Sequence, residues 1–156
     1  MYAPHTITVY NVVHTTDVTT FTETDTAYVT VLEGVFVDAS KAVNVRKSGL
    51  EGADAVDVYI PFGVKATDGL TGAAKQYAKP MDFWAASDKS GLWTLSFEGN
   101  GGETFFIKGR HVMTKTVSGS TVIDIDAARL HDDCYNVTKV DGKDYGTPKH
   151  WEVGGR

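Results

Sequence analysis

Four adjacent residues, His131-Asp132-Asp133-Cys134, each carry a side chain able to bind a metal or move a proton. Neighbouring residues point in different directions on a helix or a strand, so at most two of the four face one ion without help from elsewhere. They read as a solvated helix end. Just upstream, Asp124 and Asp126 suggest the paired carboxylates of glycoside chemistry, which needs carboxyl groups about 5–10 Å apart in a cleft. No spacing in the chain demonstrates that cleft, and the simpler reading is a helix N-terminus. A small β-barrel enzyme or ligand-binding domain using Asp124, Asp126, His131 and Asp132 is the chemical alternative.

Other candidates fall away on pattern. Gly99-Asn100-Gly101-Gly102-Glu103 lacks the G-x-x-x-x-G-K-[ST] order of a phosphate loop and reads as a hairpin turn. The five histidines are scattered, and a single cysteine permits neither an internal disulfide nor a cysteine-based zinc site. Asn136-Val137-Thr138 is a glycosylation sequon only in an exported chain. The N-terminal Met1-Tyr2-Ala3-Pro4-His5 has neither the basic nor the apolar region of a secretory signal, so folding in a reducing cytoplasm is expected. We expect no catalytic activity, no metal and no cofactor.

The elements that position these residues follow from composition. Val and Thr occur 19 times each and Ile 5 times, against 6 Leu, a skew toward β-branched side chains that favours sheet over helix. No apolar run approaches the ~20 residues of a bilayer span. The expected fold is mostly β: a small β-barrel or β-sandwich, one domain over residues 1–156, with one short helix and long loops.

Thr6 to Tyr10 alternates polar and apolar residues, as a half-buried strand does. Thr15 to Thr26 reads as an exposed hairpin or loop. Tyr28 to Val37 is a strand covered on both sides, with Val29, Val31, Val35 and Val37 on one face and a bulge or close approach at Gly34. A short strand at 42–46 leads to a turn at 48–52. Val56, Val58 and Ile60 face inward from a strand that Pro61 ends. Residues 63–79 show no sustained period and read as a long loop, and loops of that length in a compact domain are usually functional. Pro80 opens a short helical turn. Residues 92–109 read as a hairpin and 112–122 as a further strand or ribbon. Asp124 caps a helix over 124–130. Strands near 134–140 and 150–153, separated by a turn at 141–146, complete the chain.

The net charge of −5 is unevenly placed. Residues 1–40 hold five acids, Asp17, Glu23, Asp25, Glu33 and Asp38, and no Lys or Arg, whereas residues 41–156 hold 15 acids and 15 bases. A basic nucleic-acid groove is disfavoured by this balance.

The runs Leu32-Glu33-Gly34-Val35, Gly49-Leu50, Ala53 to Phe62, Tyr77-Ala78-Lys79-Pro80, Trp93-Thr94-Leu95, Ile107-Lys108-Gly109 and His150-Trp151-Glu152-Val153 together resemble small structural proteins of tailed phages, the minor capsid or head-tail connector proteins. The likeness spans roughly residues 6–153 in order. The chain departs from that pattern at Gly102-Glu103, where Gly-Asp is usual, and in a less basic turn at Gly146-Thr147-Pro148-Lys149. Resemblance to the head-closure, or stopper, type implies a virion protein made in the bacterial host cytoplasm and placed at the head-tail junction. It implies a homo-oligomeric ring of about 6 or 12 copies, with a portal-bound adaptor and tail proteins as partners, double-stranded DNA passing through the channel, and no membrane. A capsid-surface or decoration protein is the alternative.

Three groups of residues are singled out, the first two with roles that this resemblance implies and the tryptophans from the general burial of aromatic side chains. Gly63, Lys65, Asp68, Gly69, Gly72, Lys75 and Lys79 would form a channel or gating loop, hinged by its glycines and locally basic. Asp17, Glu23, Asp25, Glu33 and Asp38 would form an acidic face turned to the lumen, where it repels phosphates, or to solvent, where it guards a sheet edge. Trp84, Trp93 and Trp151 would lie in the core or at a subunit interface.

Overall fold

A computed structural model describes residues 3–39, 56–96 and 102–156; the expected strand at 42–46 and turn at 48–52 lie outside them. The described elements are β1 (His5–Thr16), β2 (Glu23–Asp38), β3 (Val56–Pro61), β4 (Lys65–Asp68), β5 (Gln76–Tyr77), α1 (Pro80–Ala85), β6 (Leu92–Trp93), β7 (Gly102–Lys108), β8 (Thr114–Val117), β9 (Ser120–Ile123), α2 (Ile125–Arg129), β10 (Cys134–Lys143) and β11 (His150–Gly155). The chain is mostly β, as its β-branched composition predicts, with two short helices where one was expected.

Seven strands join in the order β1-β7-β10-β11-β3-β2-β4, and β1 also pairs with β2. Two long strands serve as corners, each passing from one half of the sheet to the other. β2 turns at Gly34, which the β1 register skips: His5 lies opposite Val35 and Thr6 opposite Glu33. Gly34 has φ +90°, a value an L side chain rarely adopts. β10 turns where Val137 faces Gly155 but Lys139 faces Gly154. Strands that switch halves at bulges are the corners of barrel-like sandwiches. The β2–β3 and β10–β7 ladders at these corners are short, three residue pairs each, so the sheet folds over on itself without forming a regular barrel.

The bulge at Gly34 corrects one expectation. An extra residue reverses which side chains face inward, so Val29 packs in the outer cluster whereas Leu32, Val35 and Val37 share the inner one. β1 has both faces buried. Ile7 and Val9 point into the inner core with Phe106, Val58, Ile60, Trp93 and Val153, while Tyr10 and Val12 point outward against Phe105, Ile107 and Ala128 of α2.

Among the described residues, β6 and β7 do not pair as the expected 92–109 hairpin, whose turn at 97–101 lies outside them. β6 pairs in parallel with β5 instead, and β7 is held between β1 and β10. The reason is the burial of Trp93, 1% exposed, whose ring meets Tyr77 at 5.1 Å and Trp151 at 5.7 Å. Asn11 ties this segment to β1. Its side-chain amide donates to the Thr94 carbonyl and to Thr104 Oγ1, both at 2.9 Å, and its oxygen accepts the Thr94 N–H. β10 also runs through Lys143, so the turn expected at 141–146 begins later.

Gly102 begins β7 in a position with no room for a side chain. A Cβ there would lie 2.4 Å from the Val12 carbonyl oxygen and 2.6 Å from the Trp84 ring. Gly102→Ala is therefore expected to destabilise the fold by about 1–3 kcal/mol through overpacking against backbone that cannot yield. A denaturation midpoint equal to that of the parent protein would contradict this packing.

Candidate functional site: a groove beside a projecting hairpin

β7 follows β1 only as far as Val13, opposite Gly102. Beyond it, the pairs His14–Asp25, Thr15–Thr24 and Thr16–Glu23 have no third strand beside them among the described residues. This end of the β1–β2 hairpin projects as an arm, confirming that the Thr-rich stretch is an exposed hairpin. Its tip is ordered by hydrogen bonds. Asp17 N–H donates to the Thr22 carbonyl, Phe21 N–H to the Asp17 carbonyl, and Asp17 Oδ1 accepts the Thr19 N–H at 2.8 Å.

A second ribbon, β8–β9, lies outside the main sheet. Outward side chains of β1 fix its base. Thr8 Oγ1 donates to the Gly109 carbonyl and accepts the His111 N–H; the Tyr10 hydroxyl donates to the His111 carbonyl and accepts the Met113 N–H. Burial raises the Tyr10 phenol above its ordinary value, so it remains a hydroxyl donor. The Asp124 N–H closes the ribbon by donating to the Met113 carbonyl. Asp124 then caps α2, as its position predicts: Oδ1 accepts the Ala127 N–H at 3.1 Å.

Between the arm, the ribbon and α2 runs a groove of about 700 Å³. Thr24–Ala27 of the arm's root form one wall, and Lys115, Val117 and Thr121–Ile123 of the ribbon form the other. Ile125, Asp126 and Arg129 of α2 and Leu70 complete it. A chain of polar side chains adjoins it through Asp25 and Arg129. His14 Nδ1 meets Asp25 at 2.6 Å, His14 Nε2 lies 3.8 Å from Glu103, and Glu103 pairs with Arg129, whose guanidinium sits 4.7 Å over the Phe105 ring. Sequence reasoning missed this groove, because its walls come from three segments that only the register brings together. Val117 and Val122, exposed on a ribbon that has no sheet neighbour among the described residues, line it.

The four residues of the chemical alternative do not converge. Asp124 is occupied as a cap, Asp126 lines the groove, and His131 has its ring 4.3 Å from that of His111 while its Nδ1 accepts the Asp133 N–H. Asp132 is exposed. Cys134 is half-buried, and burial pushes its thiol pKa up, the reverse of an activated nucleophile. Among the described residues no group of three or more His, Cys, Asp and Glu is placed to hold a metal ion.

The 63–79 segment is not a structureless loop. Lys65–Asp68 forms β4 on the edge of β2, and Asp68 to Ala73 make a tight turn closed by Gly72 at φ +75°. Gly69 approaches so closely that a Cβ would lie 2.9 Å from Val29 Cγ1. Gly63 lies in the turn between β3 and β4, and Lys79 precedes α1 at its N-cap. Lys65 pairs with Glu33 at 3.2 Å. The side chain of Lys75 is 1% exposed; its ammonium donates to the Val29 carbonyl and Thr30 Oγ1 and lies 3.5 Å from Asp68 Oδ2. A lysine so enclosed pins a turn and is not presented to DNA.

The five N-terminal acids are not gathered in one patch either. Asp17 shapes the arm's tip, Asp25 pairs with His14, and Glu33 pairs with Lys65 and lies 3.8 Å from Arg110. Glu33 is about 33 Å along β2 from Glu23 at ~3.3 Å per residue, and half-buried Asp38 lies past the bulge, opposite Asp57. Of the tryptophans, Trp93 and Trp151 are buried in the inner core, and half-buried Trp84 packs edge-on against Phe83.

No helix among the described residues is long and apolar enough to cross a membrane. No curated protein and no solved structure matches the chain. The model of a family described as of unknown function, DUF6751, matches residues 2–156, and the chain belongs to that family.

Proposed function

We propose that this protein is a structural component of a tailed-phage virion, a head-tail connector of the head-closure type. It acts by assembly, as a ring between the portal-bound adaptor and the tail through which double-stranded DNA passes. The observation that carries the assembly reading is the arm, a two-stranded projection whose tip displays Val18 and Phe21, 83% and 82% exposed. A lone hairpin is at best marginally stable in water, and large apolar side chains held out in this way serve contacts with another surface. The resemblance of the sequence runs to those of connector proteins supplies the phage context. In this reading the 63–79 segment brings little basic charge to DNA from Lys75, which is buried, or Lys65, which pairs with Glu33; exposed Lys79 is the remaining lysine.

Mass spectrometry of purified virions, with labelling to locate the protein, tests the proposal. The expected result is a virion protein at the head-tail junction in about 6 or 12 copies. Absence from virions overturns the reading, and copies in the hundreds over the capsid surface would replace it with a decoration role.

A further inference from the structure

Arm and groove are complementary, and both belong to the same chain. The arm offers two exposed apolar side chains, and the groove is lined by Leu70, Val117, Val122, Ile123 and Ile125. Charge matches at the ribbon wall. The tip at 17–22 contains Asp17 and no Lys or Arg, and the ribbon at 114–123 contains Lys115 and no acid; the groove's two acids, Asp25 and Asp126, lie on the opposite wall and on α2. A molecule cannot satisfy itself here. The groove wall is the arm's own root, Thr24–Ala27, and a ladder paired through Thr16–Glu23 cannot reverse direction within its last few residues to reach it.

We infer that the tip of the β1–β2 arm of one copy, through Val18 and Phe21, seats in the groove between the β8–β9 ribbon, α2 and the arm's root of a second copy. The contact joins two different patches, so it is heterologous, and repetition of such a contact makes a ring when the rotation closes and a filament when it does not. This deepens the assembly reading above and rests on it. The tip is built for display. Phe21 has φ +55°, a left-handed conformation that costs a bulky residue, held by the Asp17 hydrogen bonds while its ring stays in solvent. The ribbon, with seven of its eight strand residues exposed, gains a neighbour through the same contact.

The test uses the full chain with Cys134→Ser to remove the native thiol. Val18→Cys in one preparation and Thr121→Cys in another leave Phe21 and the apolar groove residues in place. Mixing and mild oxidation should give disulfide-linked mixed dimers more than about tenfold above either variant alone, and a chain carrying both cysteines should give a ladder of oligomers. Adding Phe21→Asp should abolish the mixed dimer. Phe21→Gly should abolish it too without lowering the melting temperature, because glycine adopts φ +55° freely. Lys115→Glu should reduce the yield several-fold. Mixed dimers no more abundant than in the separate preparations, or unchanged by Phe21→Asp, overturn the contact. The two readings fail separately: cross-linking by a protein absent from virions refutes the phage role alone, and a virion protein that does not cross-link refutes the arm-in-groove contact alone.

Discussion

Asp68→Ala is expected to cost about 3–5 kcal/mol, a large share of the stability of a domain this size, because it strands a buried ammonium. Lys75 keeps only the Val29 carbonyl and Thr30 Oγ1, and the turn loses the carboxylate that accepts the Leu70 and Thr71 N–H groups at 2.8 and 3.0 Å. The reciprocal change should be much milder. Lys75→Met removes the buried charge, leaves Asp68 its two N–H donors, and leaves the Val29 carbonyl the Gly69 N–H at 3.0 Å, so a loss of no more than about 1 kcal/mol is expected. Equal losses in urea titrations of the two variants would refute this account of the pair.

The pair also predicts a pH dependence. Burial raises the Asp68 carboxyl, but the Thr71 and Leu70 N–H groups and the Lys75 ammonium outweigh it and hold the carboxyl below its ordinary range. A group depressed in the folded state stabilises above its unfolded pKa and loses that contribution as pH falls through the folded value. Stability should therefore decline below about pH 4, and Asp68→Ala should flatten that limb. For Lys75, burial lowers the ammonium from its ordinary value and Asp68 restores part of the loss.

Trp93→Ala is the second large effect, about 3–5 kcal/mol from lost burial and the cavity left behind. The indole joins Tyr77 and Trp151, and Trp151 in turn meets Phe62 at 4.4 Å, so one ring holds the β5–β6 pair against β3 and β11. A fall in melting temperature on the order of 10 °C is the expected reading for a chain of this length. A fall of only a degree or two would mean that the cluster closes over the gap. Trp93→Phe, which keeps an aromatic ring against Tyr77, should recover a substantial part of the loss.

Several of these features are legible in the sequence because they follow from local pattern. Alternation at Val56, Val58 and Ile60 predicts a strand with those residues buried, and all three are fully buried. A cap at Asp124 and a bulge at Gly34 follow equally from residue type. What pattern does not reveal is the consequence of the bulge, since reading straight through Gly34 puts Val29 and Val37 on one face. β4 escapes because Lys65-Ala66-Thr67-Asp68 has no apolar alternation; it forms by extending the edge of β2 below β3. The Asp68-Gly69 dipeptide was the available turn signal. Lys75, in a run of glycine and alanine, carries no mark of burial, which comes from Asp68 seven residues earlier across a turn.

The strand order has a kinetic consequence. β11 at residues 150–155 lies between β10 and β3 at residues 56–61, and β7 pairs with β1 across about as long a separation, whereas β1 and β2 are joined by a short turn. Contacts between distant residues reward the chain only after a long loop has closed, so folding in milliseconds to seconds is expected, with the β1–β2 hairpin formed well before the sheet folds over. During that interval the edges of β1 and β3 await their partners, and crowding favours aggregation over folding. The β1–β2 hairpin, needing only its own turn, is then the part of the sheet that can pair first, although it gains lasting stability only when the rest of the sheet closes on it.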